Sequence, residues 1–376
     1  MAAFLLALLS LNLVTHDLES FRRAASEAKP GDQILLAPGT YRGALHVSDL
    51  HGTEEQPILL GASDPTDPPV IEGNIQISGA SHLEIRDLVI DGAEHNGLNI
   101  DDAGDYETPS RSITIRNVEV RNLPAGNHDG IKLSGIESFR VEECRLSKWG
   151  GSGIDMVGCH DGVVSRCAFE NGGDNAVQAK GGSTRIRIVD CTFKDFGQRG
   201  VNIGGSTGRE FFRPPLTSVP AGERFEAQAI SVSRCTFLGG GAPVAFVGVD
   251  GAEVSFNTIY HPERWVARIL QETRTPDFIA SRNGVFRRNV IVYRSDRWGG
   301  GGVNVGDRAL PETFEFSENF WYCSDRPEHR DVKLPGRASG NVFGVDPLMK
   351  NPEKGDLMPR VESPASRFGA HAVEEQ

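Results

Sequence analysis

The sequence predicts an all-β fold, a parallel β-solenoid, on three observations. A six-residue phrase returns at nearly constant spacing, a column of small corner residues returns with it, and 44 of the 376 residues are glycine. The phrase is clearest as Gly130-Ile-Lys-Leu-Ser-Gly135, Gly153-Ile-Asp-Met-Val-Gly158, Ala176-Val-Gln-Ala-Lys-Gly181 and Gly200-Val-Asn-Ile-Gly-Gly205, with starts 23, 23 and 24 residues apart. Its second and fourth positions are apolar and its third and fifth mostly polar, the period of a strand with one buried face. A unit this short, with no helical period, fits one coil of stacked strands. Looser copies stand at 97–102, 243–248 and 302–307.

The corner column reads Asp87, Asn117, Cys144, Cys167, Cys191, Cys235, Asn257, Asn289 and Asn319. Small polar residues stacked at one corner can pair their amides from coil to coil. Nine such corners predict about nine coils. Stacked, parallel cysteine side chains do not face each other as a disulfide requires, so these four are expected to be free thiols used as fillers. The net charge of −12 argues against nucleic acid as a partner. It leaves polyanionic glycans open, because a local basic patch can oppose the net field.

In chain order, residues 3–14 are an apolar run too short to span a bilayer. The run is read as a signal peptide, and the protein is expected to be secreted or periplasmic, although a basic n-region is missing. The alternative is an apolar segment that covers the first coil. Residues 16–28 have helical spacing and stop at Lys29-Pro30-Gly31-Asp32, which predicts a helix capping the open end of the stack. The β-helix is expected over 15–345, closed by a segment over 346–376, with no second domain and a monomeric state. Two insertions, 206–228 and 271–277, leave the C-terminal end of recurrent strands and should rise beside one face. The first brings Phe212 and Arg213, a pairing suited to sugar rings and carboxylates.

The outward positions concentrate charge in the middle coils. The third-position column reads Asn99, Lys132, Asp155, Gln178, Asn202, Ala245 and Asn304, and the fifth contains Lys180. Beside them stand His128, Asp129, Asp174, Asn175 and Arg199, with Arg268 further along. Cations beside carboxylates suit β-elimination of a uronate glycan. One group removes the C5 proton, a cation neutralises the carboxylate, and an acid protonates the leaving oxygen. Asp101, Asp102 and Asp105 form an oxygen cluster that would suit Ca2+. No metal is required if Arg199 and Arg268 neutralise the substrate carboxylate.

The stretch Lys29-Pro-Gly-Asp32 followed by Pro38-Gly-Thr-Tyr41 resembles the opening of right-handed parallel β-helix proteins of the pectin-lyase-like superfamily. The resemblance covers nearly the whole chain at the level of fold. Asn175-Ala-Val-Gln-Ala-Lys180, with an arginine one coil later, is similar to lyases of the alginate lyase and chondroitinase B type. That resemblance implies Lys180 as base and Arg199, less closely matched, as acid. Asn127-His-Asp129, Gly173-Asp174-Asn175, Gln198-Arg199-Gly200 and Arg268-Ile269-Leu270 look like polygalacturonase motifs. They depart from that pattern at Asn175, Arg199 and Leu270, where the family has aspartate, histidine and lysine. The leading expectation is a polysaccharide lyase acting on an acidic polysaccharide. A hydrolase using Asp129 and Asp174, a C5-epimerase and a non-catalytic carbohydrate-binding β-helix are the alternatives.

Overall fold

A computed structural model describes residues 11–372. Within them the chain winds into twelve turns of parallel β-helix. Twelve short strands, from Thr40–Arg42 to Val342–Phe343, stack into one rear sheet. Twenty-two others form a second hydrogen-bonded sheet. That sheet folds into a front face, made by the recurrent phrase, and a side face. The bend between the two falls at single glycines such as Gly135 (φ 66°) between strands Ile131–Ser134 and Ile136–Glu142. Positive φ is open to glycine without steric cost, which accounts for the glycine that ends the phrase.

Nine coils is therefore an undercount. The turns containing Thr40–Arg42 and Val70–Glu72 lack the small polar corner residue that marks the others, and the corner of the turn containing Val342–Phe343 is Asn341, outside the column read from the sequence. The corner column also needs a shift of register. Ile115 pairs with Val141 and Arg116 with Glu142, so Asn117 stacks on Glu143 and Val118 on Cys144. Asp87 and Asn117 are left-handed corner residues, φ 58° and 49°. Leu88 and Val118 fill the inward place taken later by cysteine and then asparagine.

Those inward residues hold the corner in two ways. Cys144, Cys159, Cys167, Cys191, Cys235 and Cys323 are all buried free thiols. From Cys235 onward an asparagine ladder takes over. Asn257 Nδ2 donates to Asn289 Oδ1 at 2.9 Å, Asn289 Nδ2 to Asn319 Oδ1 at 2.9 Å, and Asn319 Nδ2 to Asn341 Oδ1 at 3.2 Å. The column thus runs one coil beyond Asn319. Against it, Phe169, Phe193 and Phe237 stack with centroids 4.9 and 4.6 Å apart, adding about 1 kcal/mol per pair beyond their burial.

The N-terminal end is covered by helix Leu18–Ser26. Asp17 caps it, accepting from Ser20 N at 2.7 Å, and Phe21 and Ala25 are buried in the coil. The expected signal peptide lies mostly outside the described residues. Of its last residues, Asn12–Val14 belong to strand Asn12–Thr15, which pairs with Gln33–Leu36. At the other end the hairpin Met349–Asn351 and Asp356–Pro359 runs back along the outside of the rear sheet. Met349, Leu357 and Ala365 pack there on Tyr260, Val290, Val292 and Phe320.

Candidate active site on the front face

Strand register places the outward third positions in one line: Gln76, Asn99, Lys132, Asp155, Gln178, Asn202, Ala245, Arg268 and Asn304. Arg268 belongs in this column, one coil before Asn304. The sequence hid that coil because strand Ala267–Leu270 has no flanking glycine to mark the phrase. Arg268 is consequently three coils from Gln178, about 14 Å at 4.8 Å per coil. It cannot serve the same sugar ring as Lys180, contrary to expectation.

The middle coils form an ion network. Lys132 Nζ lies 2.6 Å from Asp155 Oδ2 and 3.1 Å from Asp129 Oδ2. Asp129 Oδ1 accepts from Ser152 N at 2.8 Å. Lys180 Nζ donates to Gln178 Oε1 at 3.2 Å and stands 3.3 Å from Asp155 Oδ1, an ion pair without hydrogen-bond alignment. Burial, then the negative charge of Asp155, push the Asp129 carboxyl above its ordinary value despite Lys132. Burial works to lower the proton affinity of Lys132, but Asp155 and Asp129 outweigh it and hold the ammonium above its ordinary value. Both carboxylates are buried and engaged. Asp129, held by Lys132 and Ser152 N, does not stand free toward the face as the reacting carboxylate of the hydrolase reading would.

Asp174 is different. It is half-buried at the rim, and burial raises its carboxyl above the ordinary range. Arg199 and Lys180 pull it back down, while Glu272 and Asp129 add to the rise. Asn175, one residue on, is buried and directs Nδ2 toward Asp174 Oδ2 at 3.4 Å, and its Oδ1 has no partner. His128 is half-exposed at the same end of the strands, its ring 5.9 Å from that of His95. Arg199 donates from Nη1 to Asn202 Oδ1 at 2.8 Å and from Nη2 to Glu272 Oε1 at 2.5 Å. Arg268 donates to Asn304 Oδ1 at 3.0 Å and lies 4.4 Å over the Trp265 ring. Burial, then Arg199, lower its proton affinity.

Phe212 and Arg213 do not reach this face. Phe212 is buried against Phe278 and Leu216, which joins the two insertions to each other. Arg213 grips both oxygens of Asp102, at 2.6 and 2.9 Å, behind the bend between front and side faces. Corner glycines make room for it. A Cβ on Gly135 would fall 2.7 Å from Arg213 Nε, and one on Gly158 2.5 Å from Arg213 Cβ. The Asp101, Asp102 and Asp105 cluster does not fit calcium. Asp102 is spent on Arg213, Asp101 accepts from Gln76 and Asn99, and Asp105 accepts from Glu107 N. Among the described residues no three His, Cys, Asp or Glu side chains are arranged to hold a metal ion.

Three residues of the site were not anticipated: Glu272, Glu226 and Trp265. Glu226 is 0% exposed. Its carboxylate accepts from Gly181 N at 3.1 Å, Thr207 N at 3.0 Å, Thr207 Oγ1 at 2.7 Å and the Thr273 hydroxyl. It ties both insertions to the corner that follows Lys180. The available signal was an acidic residue within each insertion, Glu226 at the end of the first and Glu272 at the start of the second, but sequence does not say which coil such a residue folds back onto.

Residues 73–213 match the family model of the right-handed β-helix region. No curated protein sequence matches the chain. Among solved structures, the A-module of the mannuronan C-5 epimerase AlgE6 of Azotobacter vinelandii superposes with a TM-score of 0.57 at 16% identity, over 87% of this chain and 99% of that one. A mannuronic acid specific family 6 polysaccharide lyase from human gut microbiota does so at 0.50 and 14%, over 92% and 93%. The PL6 alginate lyase AlyGC gives 0.44 and 15% over 95% of this chain, which spans only 56% of the length of that enzyme. At such identities the likeness establishes the architecture, and the fold is a right-handed parallel β-helix.

Proposed function

We propose that the protein is a polysaccharide lyase that cleaves a uronic-acid-containing polysaccharide by β-elimination at the front face. The observation that carries this reading is the placement of Lys180. Its ammonium is partly exposed in the middle of the face and borders Asp155 Oδ1, a buried oxygen with no hydrogen bond. In its free-amine form the Lys180 side chain faces the substrate. That amine removes the C5 proton of a uronate. The electron pair forms the C4–C5 double bond and the C4–O bond breaks. Asp174, raised toward its protonated form, supplies the proton to the leaving oxygen. Arg199, one coil from Lys180, offers positive charge to the carboxylate, which acidifies C5.

The fold shared with a mannuronan epimerase and a mannuronic acid lyase supports chemistry that begins with loss of the C5 proton. The test is incubation with alginate, polygalacturonate, chondroitin, heparin and ulvan. Absorbance of the new double bond and reducing ends are followed together. Both should rise on one polymer, and Lys180→Ala should lower the rate by about 10³-fold without altering the circular dichroism spectrum. Reducing ends without the double bond would replace elimination by hydrolysis. C5 inversion without chain cleavage would make the protein an epimerase.

A further inference from the structure

The Arg199–Glu272 pair lies across the front face. Arg199 opens strand Arg199–Gly204, whereas Glu272 follows strand Ala267–Leu270, two coils further along. The coil between them is Ala242–Val247. Its outward residues Ala245 and Val247 are 0% exposed, although their positions correspond to the charged columns below. They form an apolar patch with Leu270 beneath the bridge.

The bridge is anchored from outside the face. Thr273 bonds to the buried Glu226, Asp277 pairs with Arg209 at 2.9 Å and with Arg224, and Phe278 packs on Phe212. Beyond it stand Arg268 and Trp265, with Arg264 4.1 Å over the same ring. Arg268 makes no ion pair among the described residues, whereas Arg199 is paired with Glu272. The opposite direction, through Gln178, Asp155, Lys132, Asn99 and Gln76, has no crossing segment from either insertion.

We propose that the 271–281 segment is an end wall, so that the protein acts on chain termini and releases very short products. The proposal rests on the lyase reading of the same face. Between the Lys180 coil and the wall lies one coil spacing, about 4.8 Å, which admits a single sugar ring. Arg199, at the foot of the wall, meets the carboxylate of that terminal sugar. The rest of the polymer lies over the open coils toward Gln76. Glu272 sets this limit by holding Arg199 across the groove.

The experiment follows one cleaved polymer of the five by viscosity and by size-exclusion chromatography, against unsaturated ends produced. The expected result is mono- and disaccharide products from the first minutes, with viscosity almost unchanged. A ladder of long fragments and an early collapse of viscosity would overturn the end wall and leave the lyase reading standing. Cleavage of none of the five would remove both. In Glu272→Ala, longer fragments should appear early. A Glu272→Ala variant with wild-type circular dichroism and an unchanged product profile would also overturn the role given to Glu272.

Discussion

Lys132 shows how much of the site is electrostatic housekeeping at the level of one residue. It neutralises two buried carboxylates, Asp129 and Asp155. Removing it leaves Asp129 with no ion partner and Asp155 with only the unaligned Lys180, which costs about 3–5 kcal/mol. Lys132→Met should therefore lower the melting temperature most at neutral pH. The carboxyl of Asp129 is already raised by burial, and a group raised in the folded state contributes stability below its unfolded value and loses it as pH rises through the folded one. Part of the deficit in Lys132→Met should thus return as pH falls from 8 to 5, measured by thermal melts. For Asp174 the same sign governs catalysis. Its raised carboxyl is protonated at low pH and empties as pH rises, so the rate should fall on that limb. Asp174→Asn should remove that limb and most of the activity. A pH–rate profile of the two forms decides it.

At the scale of one element, the corner column divides into a cysteine half and an asparagine half of unequal strength. Cys191 Sγ makes long contacts, 3.4 Å to Val189 O and 3.7 Å to Val164 O, beside the neighbouring thiols, so Cys191→Ala should cost about 1 kcal/mol. Asn289 is another matter. Its Oδ1 accepts from both Asn257 N and Asn257 Nδ2 at 2.9 Å, and its Nδ2 donates to Val254 O at 3.0 Å. Truncation leaves buried partners unmatched at about 1–3 kcal/mol each. Asn289→Ala should be destabilised by about 3 kcal/mol relative to Cys191→Ala, read from urea denaturation. A smaller gap would show that water replaces the lost amide.

At the scale of the molecule, the stack has no covalent cross-link. All six cysteines are free and buried, so reductant should leave the melting temperature unchanged. A fall on reduction, checked by calorimetry with and without dithiothreitol, would reveal a disulfide. The whole-molecule view also separates the two roles of the insertions. Their contacts with each other, Phe212 on Phe278 and Arg209 on Asp277, build a rigid side structure. Their contacts with the coils, Glu226 at the corner and Glu272 on Arg199, shape the face.

The sequence alone determined the solenoid, its capping helix and the charged middle of the front face. Alternation and a near-constant repeat follow from backbone geometry, and a strand period states which residues point outward. Lys132, Asp155, Gln178 and Asn202 were legible for that reason. Their partners were not, because a period says nothing about which way a long side chain leans, and Lys180 leans back to Asp155 while Arg199 leans forward to Glu272. The coil of Ala267–Leu270, without glycine markers, escaped too, which left Arg268 out of the outward column. Insertions are aperiodic, so nothing in their order predicted that Arg213 would lie behind the bend on Asp102 and that Glu272 would cross the groove. Only tertiary packing decided those positions, since each pairs residues 70 or more places apart whose meeting depends on how the loops fold over the coils.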